Sequence, residues 1–377
     1  MVLNHLLLPS VEPGVYRVDS LFYVRKWCSD LLMQLSRTIA RPIYTTIYLP
    51  AWLRMLGARI GRRAEISTVS QISPKLTHIG AQSFFADGSM IGGNRIHRGL
   101  LELAERRIGR RSFVGNGAIL PVGASLGNDC LLGCLSAPPA ANARTPDGTE
   151  WLGSPSFALP RRPRVGGFNR AVTHEPTRKL IAQRLLVDAL RIVLPATIIT
   201  GVLVGFSALA SATHDRLSLG LWLLSVPLIE IGLSAAALLS VVAVKLTLIG
   251  TFVPTVQPLW SMFVWLNEAL NVTYESVATP VLTLLLGTPF VAPWLRMLGC
   301  KIGRDVYLET TLFSEFDLVQ IGHGAALNAG AVIQNHLFED RIMKASIVQI
   351  GDRCTVGNMA VVLYDTEMKD GSSIGPL

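Results

Sequence analysis

The chain has 377 residues, half of them apolar, with a mean hydropathy of +0.42 and a formal net charge of +8. That length holds two or three domains, and that apolar content points to a membrane. The charge does not mark a nucleic-acid binder, because the basic residues flank apolar runs instead of alternating with aromatics, and the five cysteines form neither a disulfide framework nor a metal-ligand spacing, which fits a reducing compartment.

In chain order, the apolar run at Met1 stops at Pro9, too soon for a signal peptide. Pro50 to Arg62 reads PAWLRMLGARIGR, and it returns 242 positions later as APWLRMLGCKIGR, Ala292 to Arg304. The same offset relates Ile79-Gly80 to Ile321-Gly322, Ile108-Gly109 to Ile350-Gly351 and Val114-Gly115-Asn116 to Val356-Gly357-Asn358, with no gap. Two copies of one domain are implied. Within each copy runs a period of six. Ile108, Val114, Leu120, Leu126 and Leu132 are matched by Ile350, Val356, Val362, Met368 and Ile374, and small residues such as Ser112, Ala118, Ala124, Cys130, Cys354 and Ala360 recur between them. Six fits neither a helix of 3.6 residues per turn nor a strand of two, but it fits a β-solenoid with aliphatic residues stacked inside and glycine at the corners. Cys130 and Cys354 fall on inward small positions, where they pack.

Ile192 to Ala212 carries no charge, and from Leu217 to Val244 only Glu230 is ionisable, so the two runs form a membrane hairpin (about 192–212 and 217–244). A third uncharged run, Ser276 to Leu295, holds three prolines and reads as interfacial or re-entrant. Arg161, Arg162, Arg164, Arg170, Arg178, Lys179 and Arg184 precede the hairpin and Lys245 follows it, which places both ends, and both copies, on the cytoplasmic side. Trp52 and Arg54, like Trp294 and Arg296, suit the headgroup zone, where each WLRMLG would cap its solenoid and seat it on the bilayer. An acid in mid-span, such as Glu230, faces a partner or packs as a neutral carboxyl.

The sequences IGRRSFVGNGAILP and IGDRCTVGNMAVVL resemble the left-handed parallel β-helix of hexapeptide-repeat acyltransferases. Together with GVYRVDSLFYVRKW, IYLPAWLRMLGARIGRR, GTPFVAPWLRMLGCKIGR and QNHLFEDRIMK, the two-copy layout resembles the membrane-embedded terminal region of nonribosomal peptide synthetases of the ε-poly-lysine-synthetase type and their free-standing relatives. The resemblance implies soluble acyltransferase-like domains separated by membrane helices and joining aminoacyl units. No adenylation or carrier domain is present in the sequence, so no cofactor is expected to be resident; a phosphopantetheine or CoA thioester would come from another protein and pass its group to an amine or hydroxyl of a small-molecule or peptide acceptor.

Chemistry is expected where the copies differ. Gln334 to Ser346, QNHLFEDRIMKAS, replaces GGNRIHRGLLELA, and His336 aligns with Asn94. Ile333 and Ile350 are separated by 17 residues, which breaks the register of six and implies a protruding loop. The resemblance supports His336 as general base, with Glu339 or Asp340 orienting its imidazole. Arg341 and Lys344 would meet donor phosphates, and Asn335 and Asn94 line the substrate side. No metal site is expected, since His323 and His336 alone cannot supply one.

The expected architecture is therefore mixed: two left-handed parallel β-helix domains plus transmembrane α-helices. It comprises an N-terminal interfacial or membrane region (1–50), a first β-helix (51–165), a membrane region (166–291) and a second β-helix (292–377). The function expected is acyl or aminoacyl transfer by a multi-pass membrane protein of the bacterial inner membrane; the alternative is a scaffold or transport subunit that binds partners. Expected partners are the bilayer, a carrier or CoA donor and the acceptor, and no nucleic acid. Copy two ends in register at Ile374-Gly375-Pro376-Leu377, whereas Trp151, Phe157 and Leu159 could cover the last coil of copy one. An uncovered coil implies a longer parent chain or a neighbouring subunit, a homo-oligomer included.

Overall fold

The computed structural model describes residues 2–139, 144–160 and 167–376, so Arg161, Arg162, Arg164 and Leu377 lie outside the described residues. Two compact units divide the chain, Met1–Thr177 and Arg178–Leu377.

In the first unit, helices α1 (Val2–Leu7), α2 (Leu21–Ile39) and α3 (Leu49–Met55) precede the coils. Ser20 caps α2 by accepting from the amide of Tyr23. Strands of two to four residues then stack in parallel. One sheet runs Arg59–Ile60, Thr77–Ile79, Arg106–Ile108, Ser125–Leu126; another runs Glu65–Ile66, Phe84–Phe85, Phe113–Val114, Leu131–Leu132, Glu150–Gly153; the third pairs Met90–Ile91 with Ile119–Leu120. Pairing Ile108 with Leu126 and Val114 with Leu132 makes each of these coils three hexapeptides long. Ile108, Val114, Leu120, Leu126 and Leu132 are all buried in one core, with Ala118 and Cys130 beside them. Each such side chain contributes about 1.5–3 kcal/mol by leaving water.

The glycine after each isoleucine has a different reason from the one expected. A Cβ on Gly109 would stand 2.2 Å from the carbonyl oxygen of Gly127 on the next coil, so glycine here allows close approach between rungs. Left-handed corners are taken by other residues, among them Arg111 (φ 56°) and Asp129 (φ 56°). Trp151 joins the core on a further parallel strand, Glu150–Gly153, closed by an antiparallel return at Ser156–Ala158, while Phe157 is exposed. The segment after Gly133 thus extends the coil.

The second unit opens with two long apolar helices, α4 (Arg178–His214) and α5 (Leu219–Leu248), both long and apolar enough to cross a membrane. Few residues of their apolar stretches are buried, and Glu230 is exposed on α5. Helix α6 (Met262–Thr273), capped by Ser261 as α2 is by Ser20, runs into a π-helical turn at Tyr274–Ala278 and a short α7 (Thr279–Thr283) with Pro280 in its first turn. Helix α8 (Val291–Met297) carries the second WLRMLG. The uncharged run stays helical through Pro280, breaks over residues 284–290 around Pro289 and resumes in α8 with Pro293 inside it, and Leu282, Val291 and Leu295 are fully buried. Lys301–Ile302, Val319–Ile321, Val348–Ile350 and Thr366–Met368 repeat the first sheet of copy one, and Tyr307–Leu308, Ala326–Leu327, Thr355–Val356 and Ser373–Ile374 repeat the second. Val332–Gln334 pairs with Val361–Leu363.

The two WLRMLG arginines do the same work. Arg54 donates from Nε to the carbonyl of Ile60 (3.0 Å) and from Nη2 to that of Gly61 (3.0 Å); Arg296 does so to Ile302 (3.1 Å) and Gly303 (2.7 Å). Ile60 and Ile302 lie on the end strands of their sheets, whose outer carbonyls need donors. A guanidinium fork supplies two, so each solenoid begins with the same capping piece.

Candidate active site

The break in register at Ile333 is an antiparallel arm. His336–Glu339 and Ile342–Ala345 form a hairpin, and Thr255–Pro258 adds a third strand beside Ile342–Ala345. Asp340 (φ 49°) and Arg341 (φ 62°) are its two-residue turn, the pair of left-handed residues that matches strand twist in tight hairpins. At the base, the amide of Ser346 donates to the carbonyl of Asn335 (3.0 Å), and the Asn335 side chain donates to the carbonyls of Leu318 (3.0 Å) and Ser346 (3.3 Å). Asn335 is fully buried and holds the coil at the point where the arm leaves it. Copy one has the same arm, built from Gly14–Arg17, Leu100–Leu103 and Arg95–His97.

His336 is the first residue of the arm. Its Nδ1 lies 2.8 Å from Oε2 of Glu315 and 3.5 Å from Oγ of Ser314, with the Phe338 ring edge-on at 5.4 Å. Oε1 of Glu315 accepts from Nδ2 of Asn267 on α6 at 2.6 Å. Glu315 carries three costs at once. It is a carboxylate with no exposed surface, it has left-handed backbone (φ 39°, ψ 57°), and it opens the 3-10 turn Phe316–Leu318 without capping it through its side chain. The aligned residue in copy one is Ser73, which opens the matching turn Pro74–Leu76 with extended backbone (φ −105°, ψ 96°). At this corner copy one takes its left-handed residue two places earlier, at Gln71 (φ 50°), so the fold does not demand that conformation at the aligned position itself. Burial raises the Glu315 carboxyl pKa, but the His336 charge and hydrogen bonds from His336, Ser314 and Asn267 outweigh it, and the net direction is down.

The expected partners of His336 are placed differently. Glu339 bonds Lys344 at 2.6 Å, so a phosphate reaching Lys344 would have to displace a carboxylate. Asp340 sits in the turn. Arg341 is almost fully buried, with its carbonyl receiving the amide of Leu259, so it is no open phosphate clamp. In copy one Asn94 donates to Oδ2 of Asp30 at 2.6 Å, and Asp30 also pairs with buried Lys26. Lys26 and Asn267 each stand six residues after the serine cap of their helix, so the two copies use the same place for different polar clusters. Arg106, fully buried, completes that of copy one, and burial brings its pKa down to about 10. Sequence reasoning missed Glu315 and Asn267. The available signal was the aligned change of Ser73 to a glutamate that interrupts an apolar hexapeptide.

The second stack of coils thus brings a half-buried histidine against a fully buried carboxylate, a pair able to move a proton. Along its whole length the chain is similar to the delta-poly-L-ornithine synthetase of Acinetobacter baumannii (strain AB307-0294), at 38% identity over 378 residues, and it spans 28% of that relative. The resemblance to poly-amino-acid synthetases thus extends over the entire chain. No family model matches. Among solved structures, a maltose O-acetyltransferase from Clostridium difficile 630 aligns with 42% of this chain and 96% of its own at 17% identity and a TM-score of 0.29. A hexapeptide-repeat acetyltransferase from Vibrio cholerae aligns with 29% and 76% at 17% identity and a TM-score of 0.21.

Proposed function

We propose that the chain is the transferase portion of a membrane-bound poly-amino-acid synthesis apparatus, moving an acyl or aminoacyl group from a pantetheine thioester to an amine. In this reading the coils are left-handed, the two apolar helices cross the bilayer and return, and both β-helices face the cytoplasm. The four segments 1–50, 51–165, 166–291 and 292–377 are its working parts.

The observation that carries the reading is Glu315 against His336. A carboxylate on Nδ1 fixes the imidazole as the Nδ1–H tautomer and leaves Nε2 as its basic atom. As the acceptor nitrogen attacks the thioester carbonyl, Nε2 takes the proton from nitrogen; the carbon–sulfur bond breaks, and the imidazolium returns that proton to the departing thiolate. Glu315 keeps its charge throughout and stabilises the imidazolium. Asn267 holds the second carboxylate oxygen, so the carboxylate cannot rotate away. The similarity to a poly-ornithine synthetase supports amide formation. Asn335 acts by fixing the base of the arm. Asn94 belongs to a cluster of a different kind, so the first copy carries no matching base.

The test is transfer from labelled aminoacyl thioesters in membranes holding the full chain, with products identified by mass. His336→Ala should abolish product while Asn94→Ala retains it. Equal product from wild type and His336→Ala would favour a scaffold instead.

A further inference from the structure

The face of copy one formed by Arg59–Ile60, Thr77–Ile79 and Arg106–Ile108 bears an open groove of about 720 Å³. Arg54, Arg59, His78, Arg107, Arg110 and Asn128 supply its polar lining, and Ile60, Ile79 and Ile108 with Gly61, Gly80 and Gly109 supply its floor. Arg59, His78 and Arg107 are register neighbours on successive rungs, which in a parallel sheet stand about 4.8 Å apart. Cations stacked at that spacing repel and weaken a sheet. Burial together with Arg59 and Arg107 outweighs the opposing pull of Glu105 and holds the His78 imidazole below its ordinary range.

The second copy is an internal control for what the fold needs. At the aligned positions every isoleucine and glycine of the floor is retained, and Arg296 repeats Arg54. The remaining charges change: Arg59, His78, Arg107, Arg110 and Asn128 become Lys301, Gln320, Gln349, Asp352 and Asp370. Four arginines with no acid thus stand against one arginine, one lysine and two aspartates. Glu105 bonds Arg107 at 2.7 Å and removes one charge, which leaves copy one more positive by three. The corner hydrogen bond shows that this is not structural. Asp370 accepts the amide of Asp352 through Oδ1 (2.8 Å), and Asn128 accepts that of Arg110 through its own Oδ1 (2.9 Å). The backbone needs an oxygen there, and copy one provides it without a negative charge.

We propose that this groove is the docking surface for an acidic carrier domain that delivers the acyl thioester, so that the first copy receives the donor while the second performs the transfer. The inference rests on the transfer reading above. An open face lined by cations on successive rungs complements the carboxylates of a folded acidic domain. The poly-ornithine synthetase similar to this chain is far longer, since the chain spans only 28% of it, and so contains further chain able to supply such a domain. Charges arranged in this way steer encounter and set register more than they add raw affinity.

The test measures binding of a phosphopantetheinylated carrier protein of net negative charge to the full chain in detergent, between about 50 and 300 mM salt. Arg107→Gln with Arg110→Asp imports residues that the second copy already accommodates, and Arg59→Gln with Arg107→Gln adds no acid. Both should weaken binding about tenfold or more and flatten its salt dependence, while transfer from a small N-acetylcysteamine thioester stays at the wild-type rate. Unchanged carrier affinity in both variants overturns the proposal. So does a loss confined to phosphatidylglycerol vesicles or to free CoA, which would assign the groove to lipid or to a soluble phosphate ester. Binding is read without turnover, so an active His336→Ala would sink the transfer reading and leave this result standing on its own.

Discussion

Replacing Glu315 with glutamine preserves shape and volume and removes only the charge. The glutamine oxygen can still accept from one of its two present partners, but its amide end must then face the other. If Asn267 keeps its acceptor, an N–H₂ meets Nδ1 of His336, and the ring is driven to the tautomer protonated on Nε2, which cannot accept a proton. General-base catalysis is worth about 10²–10⁴ in rate. At 1.36 kcal/mol per factor of ten, losing it corresponds to about 3–5 kcal/mol of transition-state stabilisation. Because Glu315 touches the base and has no exposed surface, the loss should fall on kcat with KM little changed. Single-turnover transfer from an aminoacyl N-acetylcysteamine thioester reads it directly. A Glu315→Gln enzyme that folds and turns over within threefold of wild type would refute the assignment. Asn267→Ala should give a smaller loss, since it frees the carboxylate to rotate without removing it.

Other expectations follow from the same geometry. Arg54→Ala and Arg296→Ala each remove two hydrogen bonds to end-strand carbonyls; both groups are exposed, so each should cost only about 1–2 kcal/mol, read as a lower unfolding midpoint. The depressed Glu315 carboxyl gives stability that is fully present above the ordinary carboxylate value of about 4.3 and is lost as pH falls through its lower folded value. The stability gap between wild type and Glu315→Gln should therefore narrow on acidification, and a gap that widens would reverse the sign. For topology, a cysteine at His214 should be labelled from outside intact cells and cysteines at Asn116 and Asn358 should not; labelling of only one of the latter pair would require an odd number of crossings.

The repeats were legible because stacking imposes a strict period. Each of Val114, Leu120, Val356 and Val362 must meet its counterpart one coil away, so the period of six is written directly in the chain. The hairpin arm was legible only as a fault in that period, and its third strand was hidden, because Thr255–Pro258 lies far along the chain from residues 336–345 and pairs with them through backbone hydrogen bonds, which leave no mark on side-chain pattern. Sequence proximity pointed to Glu339 as the partner of His336, but residues on a hairpin alternate faces, and Glu339 meets Lys344 instead. Glu315 is 21 residues from His336 and reaches it across the coil. The cap expected of each WLRMLG is present, but its chemistry was hidden, because nothing in the sequence shows that Arg54 and Arg296 supply the donors that the first rung's carbonyls need.

Helix α6, and through it α4, also reaches the Glu315–His336 pair. Asn267 and Glu268 are consecutive on α6, and they serve two different neighbours. Asn267 holds Glu315. Glu268 accepts from Arg184 at 2.5 Å and Arg191 at 3.0 Å, both on α4, where Asp188 pairs with Arg184 as well. Arg184 lies over the Trp265 ring at 5.7 Å. Breaking one partner out of such a buried group leaves a charge uncompensated, at a cost of about 3–5 kcal/mol, so α6 is held in one position relative to the first apolar helix. The carboxylate bonded to His336 is thus held from two sides, by its own coil and by a helix anchored to α4. About two turns of α6 from its cap, Asn267 faces the Glu315–His336 pair and Glu268 faces α4, so the coils of copy two and the helices that precede them share one polar network.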